Sequence, residues 1–156
     1  MCNSFQGDAD LQSRRKLPCW PERSVAVLGT SEGGPHLIPV ASLVRVDDRR
    51  ILFSLRRDRG SLARLRESPE VALSVLGSGD TAFTARGRAR IVAESLVGQP
   101  DFAGIELLVE AVDDHRQSGS SVVVLWCDER ELEALRERVS ALQWLAICRS
   151  LRASEG

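Results

Sequence analysis

Three arginines and two serines crowd one short passage of this sequence, Phe53-Ser54-Leu55-Arg56-Arg57-Asp58-Arg59-Gly60-Ser61. An apolar run stops there, cationic and hydroxyl side chains follow, and a helix begins, with Arg64 one turn further on. Guanidinium groups bind phosphate through charge-assisted, often paired hydrogen bonds, and the first amides of a helix favour the same anion. The chemistry open to Ser54, Arg56, Arg57, Arg59, Ser61 and Arg64 is therefore phosphate binding. The same cluster also reads as a solvated turn, because arginines gather most often at surfaces.

Other residues offer less. Cys2, Cys19, Cys127 and Cys148 form no Cys-x-x-Cys pair, and neither histidine stands near them at zinc-ligand spacing. Free thiols in a reducing compartment account for them. Asp47-Asp48 and Asp113-Asp114 are turn residues with no partner acid placed by spacing. His36 follows a turn, His115 lies in a polar loop, and Trp126 suits a core or an interface as well as a stacked ligand. The stretch Gly29 to Gly34 lacks Gly-Lys-Ser/Thr and leads into a strand, which excludes a nucleotide loop. No nucleophile–base constellation emerges.

The elements that must position the arginines are mostly strands. Ser24 to Thr30 is a short β-branched run, followed by turn chemistry at Ser31 to Pro35, where glycines are free to take positive φ. His36 to Val46 is almost continuously apolar, which predicts one strand covered on both faces. Pro39 inside it marks an edge or a bulge. Further strands are expected at Ile51 to Leu55, Glu70 to Leu76, Thr81 to Val92, Gly104 to Val112 and Ser121 to Cys127. In Thr81 to Val92, apolar residues alternate with Thr84, Arg86, Arg88 and Arg90, so one face carries an arginine ladder that Glu106 and Glu110 could meet across neighbouring strands. A helix over Gly60 to Ser68 ends at Pro69. A last helix over 128–148 starts at an Asp128 cap with Glu131 three residues on. Its apolar face is Leu132, Leu135, Val139, Leu142 and Ala146, which Trp144 and Ile147 broaden. A short helix around Asp10 to Leu17 completes the pattern.

The totals set limits. The chain has 156 residues, 43% of them hydrophobic and 28% charged, with a net charge of −1. That suits a single globular domain, residues 24–156, behind an N-terminal extension, residues 1–23. Its basic residues are nearly all arginine, Lys16 being the one lysine, and the charge balance gives no sign of nucleic-acid binding. No run is long and apolar enough to span a bilayer and no signal pattern opens the chain, so a cytoplasmic location is expected. Short turns between strands favour a mainly β (α+β) fold: an antiparallel barrel with a short helix after the third strand and a C-terminal helix. Strands apolar on both faces lead us to expect a homodimer.

Taken in order, Val25-Ala26-Val27-Leu28-Gly29-Thr30, the Gly-Gly-Pro-His turn, Ile38-Pro39-Val40, Ile51-Leu52-Phe53-Ser54, the basic helix, Ser68-Pro69-Glu70-Val71-Ala72-Leu73 and Arg86-Gly87-Arg88-Ala89-Arg90-Ile91-Val92 resemble the pyridoxamine 5′-phosphate oxidase-like, FMN-binding split-barrel proteins. The likeness covers residues 22 to 93, with a weaker echo towards the C-terminus. It implies a split β-barrel paired as a homodimer with a flavin at each end of the interface. It implies that Ser54, Arg56, Arg57, Arg59 and Ser61, with Arg64 beyond, hold the FMN phosphate. It also implies that Ile38, Pro39, Val40 and Ala41 lie along the isoalloxazine ring. The cofactor would be FMN, with the deazaflavin F420 or haem as alternatives, and the function an oxidoreductase acting on a small molecule. The other reading is a non-catalytic ligand-binding or sensor module on the same barrel. The family's helix commonly opens with a lysine that this chain lacks. The long Arg- and His-rich C-terminal segment that grips pyridoxamine phosphate is also missing, so that activity is not expected.

Overall fold

The computed structural model describes residues 16–22, 24–116 and 129–154. Among these residues the strands are β1 (Val25–Thr30), β2 (His36–Val40), β3 (Leu43–Arg45), β4 (Arg50–Arg56), β5 (Glu70–Leu76), β6 (Ala82–Ala93) and β7 (Phe102–Asp114). Helix α1 (Ser61–Glu67) follows β4, and helix α2 (Glu129–Ser154) comes last. Every pairing is antiparallel, in one sheet ordered β2-β1-β5-β6-β7-β4-β3.

Strands β2 and β3 stand at opposite ends of that order, yet only Ala41 and Ser42 separate them in the chain. A residue of extended chain reaches only ~3.5 Å, so the sheet must curl until its two ends meet. They meet where the Ser54 amide on β4 donates to the Ser42 carbonyl at 3.3 Å. This is the antiparallel split barrel expected from the sequence.

Alternation decides what each strand buries. On β4, Ile51, Phe53 and Leu55 face the barrel interior with Leu28, Leu73, Val75, Ile105, Leu107 and Val109, and α1 adds Leu62 and Leu65. The other face of β4 presents Leu52, which joins Leu96 and Leu142 in a second, smaller apolar cluster beneath α2. Fully burying a leucine contributes ~1.5–3 kcal/mol, so Leu142 alone gives α2 a firm hold. Gly104 permits the close approach, since a Cβ there would lie 2.8 Å from Leu145 Cδ2.

Several expectations need correction. His36 to Val46 is not one strand covered on both sides. It breaks at Ala41–Ser42 because the chain passes there from one end of the sheet to the other, and β2 is an edge whose Leu37 is 70% exposed. Edge position also explains how Pro39 is tolerated opposite Val27. Trp144 and Ile147 do not widen the packed face of α2; both are exposed, because the helix meets the sheet through Leu142, Leu145 and Ala146, with Arg138 and Arg149 at either end. Of the arginine ladder, Arg86 pairs with Asp113 at 2.7 Å, Arg88 with Glu70 at 2.7 Å and Arg90 with Glu106 at 2.6 Å. Glu106 is no surface partner: it is buried (3% exposed) and also meets Arg149 at 3.3 Å. Glu110 stays exposed and outside the ladder. Glycines at 33 and 34 do take positive φ, 68° and 102°. The expected strand 121–127, the Asp128 cap and Trp126 lie outside the described residues, as does most of the expected helix at 10–17, whose Lys16 and Leu17 are not helical.

Candidate functional site

The two stretches expected to share a cofactor, 38–41 and 54–61, come together at the closure of the barrel. Strand β2 ends at Val40, and the next residues carry the chain to Ser42, whose hydroxyl hydrogen-bonds that of Ser54. Both serines are buried. Within β2, Val40 is buried and Ile38 packs on the core, while Pro39 faces solvent and Ala41 is half-buried. An edge strand keeps one row of backbone donors and acceptors free of any ladder, and such a row can hold the polar rim of a flat ligand.

The arginines spread from the other side of this junction. Arg56 closes β4 and chelates Asp58 through Nε at 3.0 Å and Nη2 at 2.9 Å. This hydrogen bond lowers the Asp58 carboxyl and raises the Arg56 guanidinium relative to their ordinary values. Arg57 is pinned to the β6–β7 loop, its amide donating to the Asp101 carbonyl at 2.9 Å and its Nη1 to the Pro100 carbonyl at 3.1 Å. Arg59 is exposed and makes no hydrogen bond to a described residue. Ser61 opens α1 and is buried, while Gly60 before it supplies no side-chain cap.

Arg64 lies apart from this group. Its Nη1 donates to the Glu32 carbonyl in the β1–β2 turn, which ties α1 to that turn. The structure thus gathers Arg56, Arg57 and Arg59 at one corner, sets Ser54 beneath it with a partner of its own, and turns Arg64 towards another loop.

Three residues at this corner, Phe102, Arg138 and Ser42, carried no signal in the sequence. Phe102 stands opposite Arg56 in the β4–β7 register. Its ring lies under two guanidinium groups, that of Arg138 at 4.8 Å from the centroid and that of Arg56 at 5.8 Å. Burial pushes the half-buried Arg138 below its usual value. Glu131 opposes that shift, Arg56 adds to it by repulsion, and Glu137 opposes it again. Only the path of α2 across the sheet reveals this juxtaposition. Ser42 was equally silent, as one more residue in an apolar run.

A cavity of about 710 Å³ lies at the opposite end of β6 and β7, between residues 16–19 and a wall that includes Phe83, Val112, Asp114 and Arg116. None of the candidate residues lines it. His115 sits near that end and pairs through Nε2 with Thr84 Oγ1 at 3.0 Å, away from the Arg56–Arg59 corner. No three His, Cys, Asp or Glu residues form a metal-binding group among the described residues.

Comparison with known proteins settles the lineage. The family model described as pyridoxamine 5′-phosphate oxidase matches residues 16–123, more than half of the chain. The chain belongs to the pyridoxamine 5′-phosphate oxidase family. Among solved structures, the HupZ protein of group A Streptococcus superposes with a TM-score of 0.50 at 18% identity, covering 79% of this chain and all (100%) of that one. A heme binding protein from Mycobacterium smegmatis gives a TM-score of 0.50 at 14% identity, covering 65% of this chain and 52% of that one. At such identities the likeness is one of fold. No curated protein matches this sequence. Which residues could hold an anionic group follows from this chain's own geometry.

They fit a phosphate-bearing group. Arg59 donates no hydrogen bond to a described residue, Arg57 spends one side-chain donor on a carbonyl, and Arg56 holds its aspartate through Nε and Nη2. Three guanidinium groups at the β4–α1 corner supply charge and directional donors for phosphate.

Proposed function

We propose that this chain is a flavin-binding split-barrel protein that takes FMN, or the deazaflavin F420, and serves as an oxidoreductase for a small molecule. The observation that carries this reading is the meeting of residues 38–42 with the β4–α1 corner, where Ser42 bonds Ser54. An edge strand suited to a flat ring and a corner of arginines suited to a phosphate are thereby neighbours. Bound there, a flavin supplies the hydride or electron chemistry. Arg56, Arg57 and Arg59 hold its phosphate, and the backbone of Ile38 to Ala41 orients its ring.

The corner is open to solvent and Leu37, further along the same edge strand, is exposed, so a second wall has to come from elsewhere. A homodimer provides one, with the partner closing over the ring. The free thiols of Cys19 and Cys148 suit a reducing, cytoplasmic setting, and no helix among the described residues is long and apolar enough to cross a membrane.

A second reading keeps the barrel as a sensor or carrier, for a flavin or for haem. The absence of lysine from the β4–α1 segment and the engagement of the Ser54 hydroxyl by Ser42 favour it, since both subtract phosphate ligands. The absorption spectrum and mass of whatever co-purifies from the native host separate the two readings. Arg57→Ala and Arg59→Ala should each weaken FMN about tenfold or more, a charge-assisted contact being worth ~1.5–3 kcal/mol. Unchanged FMN affinity in both variants removes the clamp.

A further inference from the structure

We propose that Arg138, on the C-terminal helix, is a specificity-determining residue that joins Arg56 over the ring of Phe102 to form the phosphoryl-binding half of the cofactor site. The proposal deepens the reading given above and rests on it for the identity of the ligand. The anion-binding property itself can be tested with inorganic phosphate alone.

The placement follows from how α2 crosses the sheet. Arg149 meets Glu106, Leu145 covers Gly104, and Leu142 joins Leu52 and Leu96, so the helix crosses β7 and β4 towards the start of β7. The next turn brings Arg138 over Phe102, at the row occupied by Arg56 on β4. Two cations share one aromatic face there. An aromatic ring offsets some of the cost of holding a guanidinium group out of water, but it does nothing for the repulsion between two of them.

Nearby acids offset that repulsion through their charge, Glu131 by more than Arg56 contributes. Asp58 is committed to Arg56 through both of its oxygens, and Glu137 accepts from Gln99 Nε2 at 2.9 Å. Glu131 and Glu137 act on Arg138 only through their charge, and Arg138 donates no hydrogen bond to a described residue. A planar, five-donor group that is half-buried, packed on a ring and short of acceptors is prepared for an oxyanion. A phosphoryl group between Arg56 and Arg138 would receive donors from both. Arg57 and Arg59 line the approach. The helix that shields the outer face of the sheet thus contributes to recognition.

The test compares the wild type with Arg138→Gln and Arg138→Lys. Thermal melts are followed while inorganic phosphate is added at constant ionic strength, with chloride as the control. FMN and riboflavin, which differ by the phosphate, are titrated separately. Phosphate should raise the wild-type midpoint where chloride does not. Arg138→Gln should bind phosphate and FMN about tenfold more weakly, the loss of a charge-assisted contact, and leave riboflavin unchanged. Arg138→Lys, which keeps the charge and the helix, should fall between the two. A wild type indifferent to phosphate, or an Arg138→Gln variant that binds phosphate as the wild type does, overturns the proposal. A wild type that binds phosphate through Arg138 but takes neither flavin upholds the anion site and refutes the flavin reading.

Discussion

Replacing Glu106 by glutamine should unfold this protein at a distinctly lower temperature, although the residue lies away from the candidate site. The carboxylate is 3% exposed and is held between Arg90 Nη2 at 2.6 Å and Arg149 Nη2 at 3.3 Å. Removing one partner of a buried ion pair costs about 3–5 kcal/mol, because the remaining charge is left uncompensated. The two arginines do not share that cost equally. Arg90 is 67% exposed, so water replaces its partner and its share is within ~1 kcal/mol. Arg149 is 29% exposed, and its buried Nε already lacks a partner. Glutamine keeps one acceptor oxygen, so we expect a net loss of about 2–3 kcal/mol, which lowers the melting midpoint by about 5–10 °C for a chain of this size. Circular dichroism melts of Glu106→Gln, Arg90→Ala, Arg149→Ala and the Glu106→Gln/Arg149→Ala double variant measure it. The cycle should return a coupling of ~1 kcal/mol or more between Glu106 and Arg149, while Arg90→Ala stays near the wild type. A fall under about 2 °C for Glu106→Gln, or an Arg90→Ala loss as large, would refute the account of a helix latched through Arg149.

Two further outcomes follow from the same structure. Gly87→Ala should abolish the folded state or cost more than ~3 kcal/mol, because the new Cβ would run into the Leu108 carbonyl, with the Glu110 amide nitrogen 3.1 Å away, at the β6 bulge; soluble expression and a melt near that of the wild type would contradict this. Asp114 is held at about 2, below its ordinary 3.8, chiefly by the Arg116 side chain and amide. Its folded value is depressed, so its contribution is present above pH 3.8 and is lost as the pH falls through 2. That contribution is small because the pair is exposed. A carboxyl NMR titration should place the Asp114 midpoint near 2 and, in Arg116→Ala, closer to 3.8; a native midpoint already at the ordinary value would dismiss the pairing.

Much of the fold was readable from periodicity. The alternation of β6 was legible because one face is packed and the other charged, and Pro69 ended α1 as the residue-before-proline rule requires. The break at Ala41–Ser42 was not legible. An apolar run looks the same whether it is one buried strand or two short ones that serve opposite ends of a sheet, and only long-range pairing distinguishes them. Glu106 read as a surface residue by alternation with its neighbours, since the face it occupies becomes interior only when α2 lies across it. At the candidate site, Arg56, Arg57 and Arg59 could be named because they are clustered within one short stretch of chain. Ser42, Phe102 and Arg138 could not, because each reaches the corner from a distant part of the chain.

The short passage through Ala41 and Ser42 also governs what this protein would become if it were nicked. A chain cut between those two residues would retain every strand ladder of the sheet. It would nevertheless lose the tether that keeps β2 and β3 from swinging apart. Each would then offer an unprotected margin to other molecules, and a self-contained protein would turn into a template for edge-to-edge aggregation.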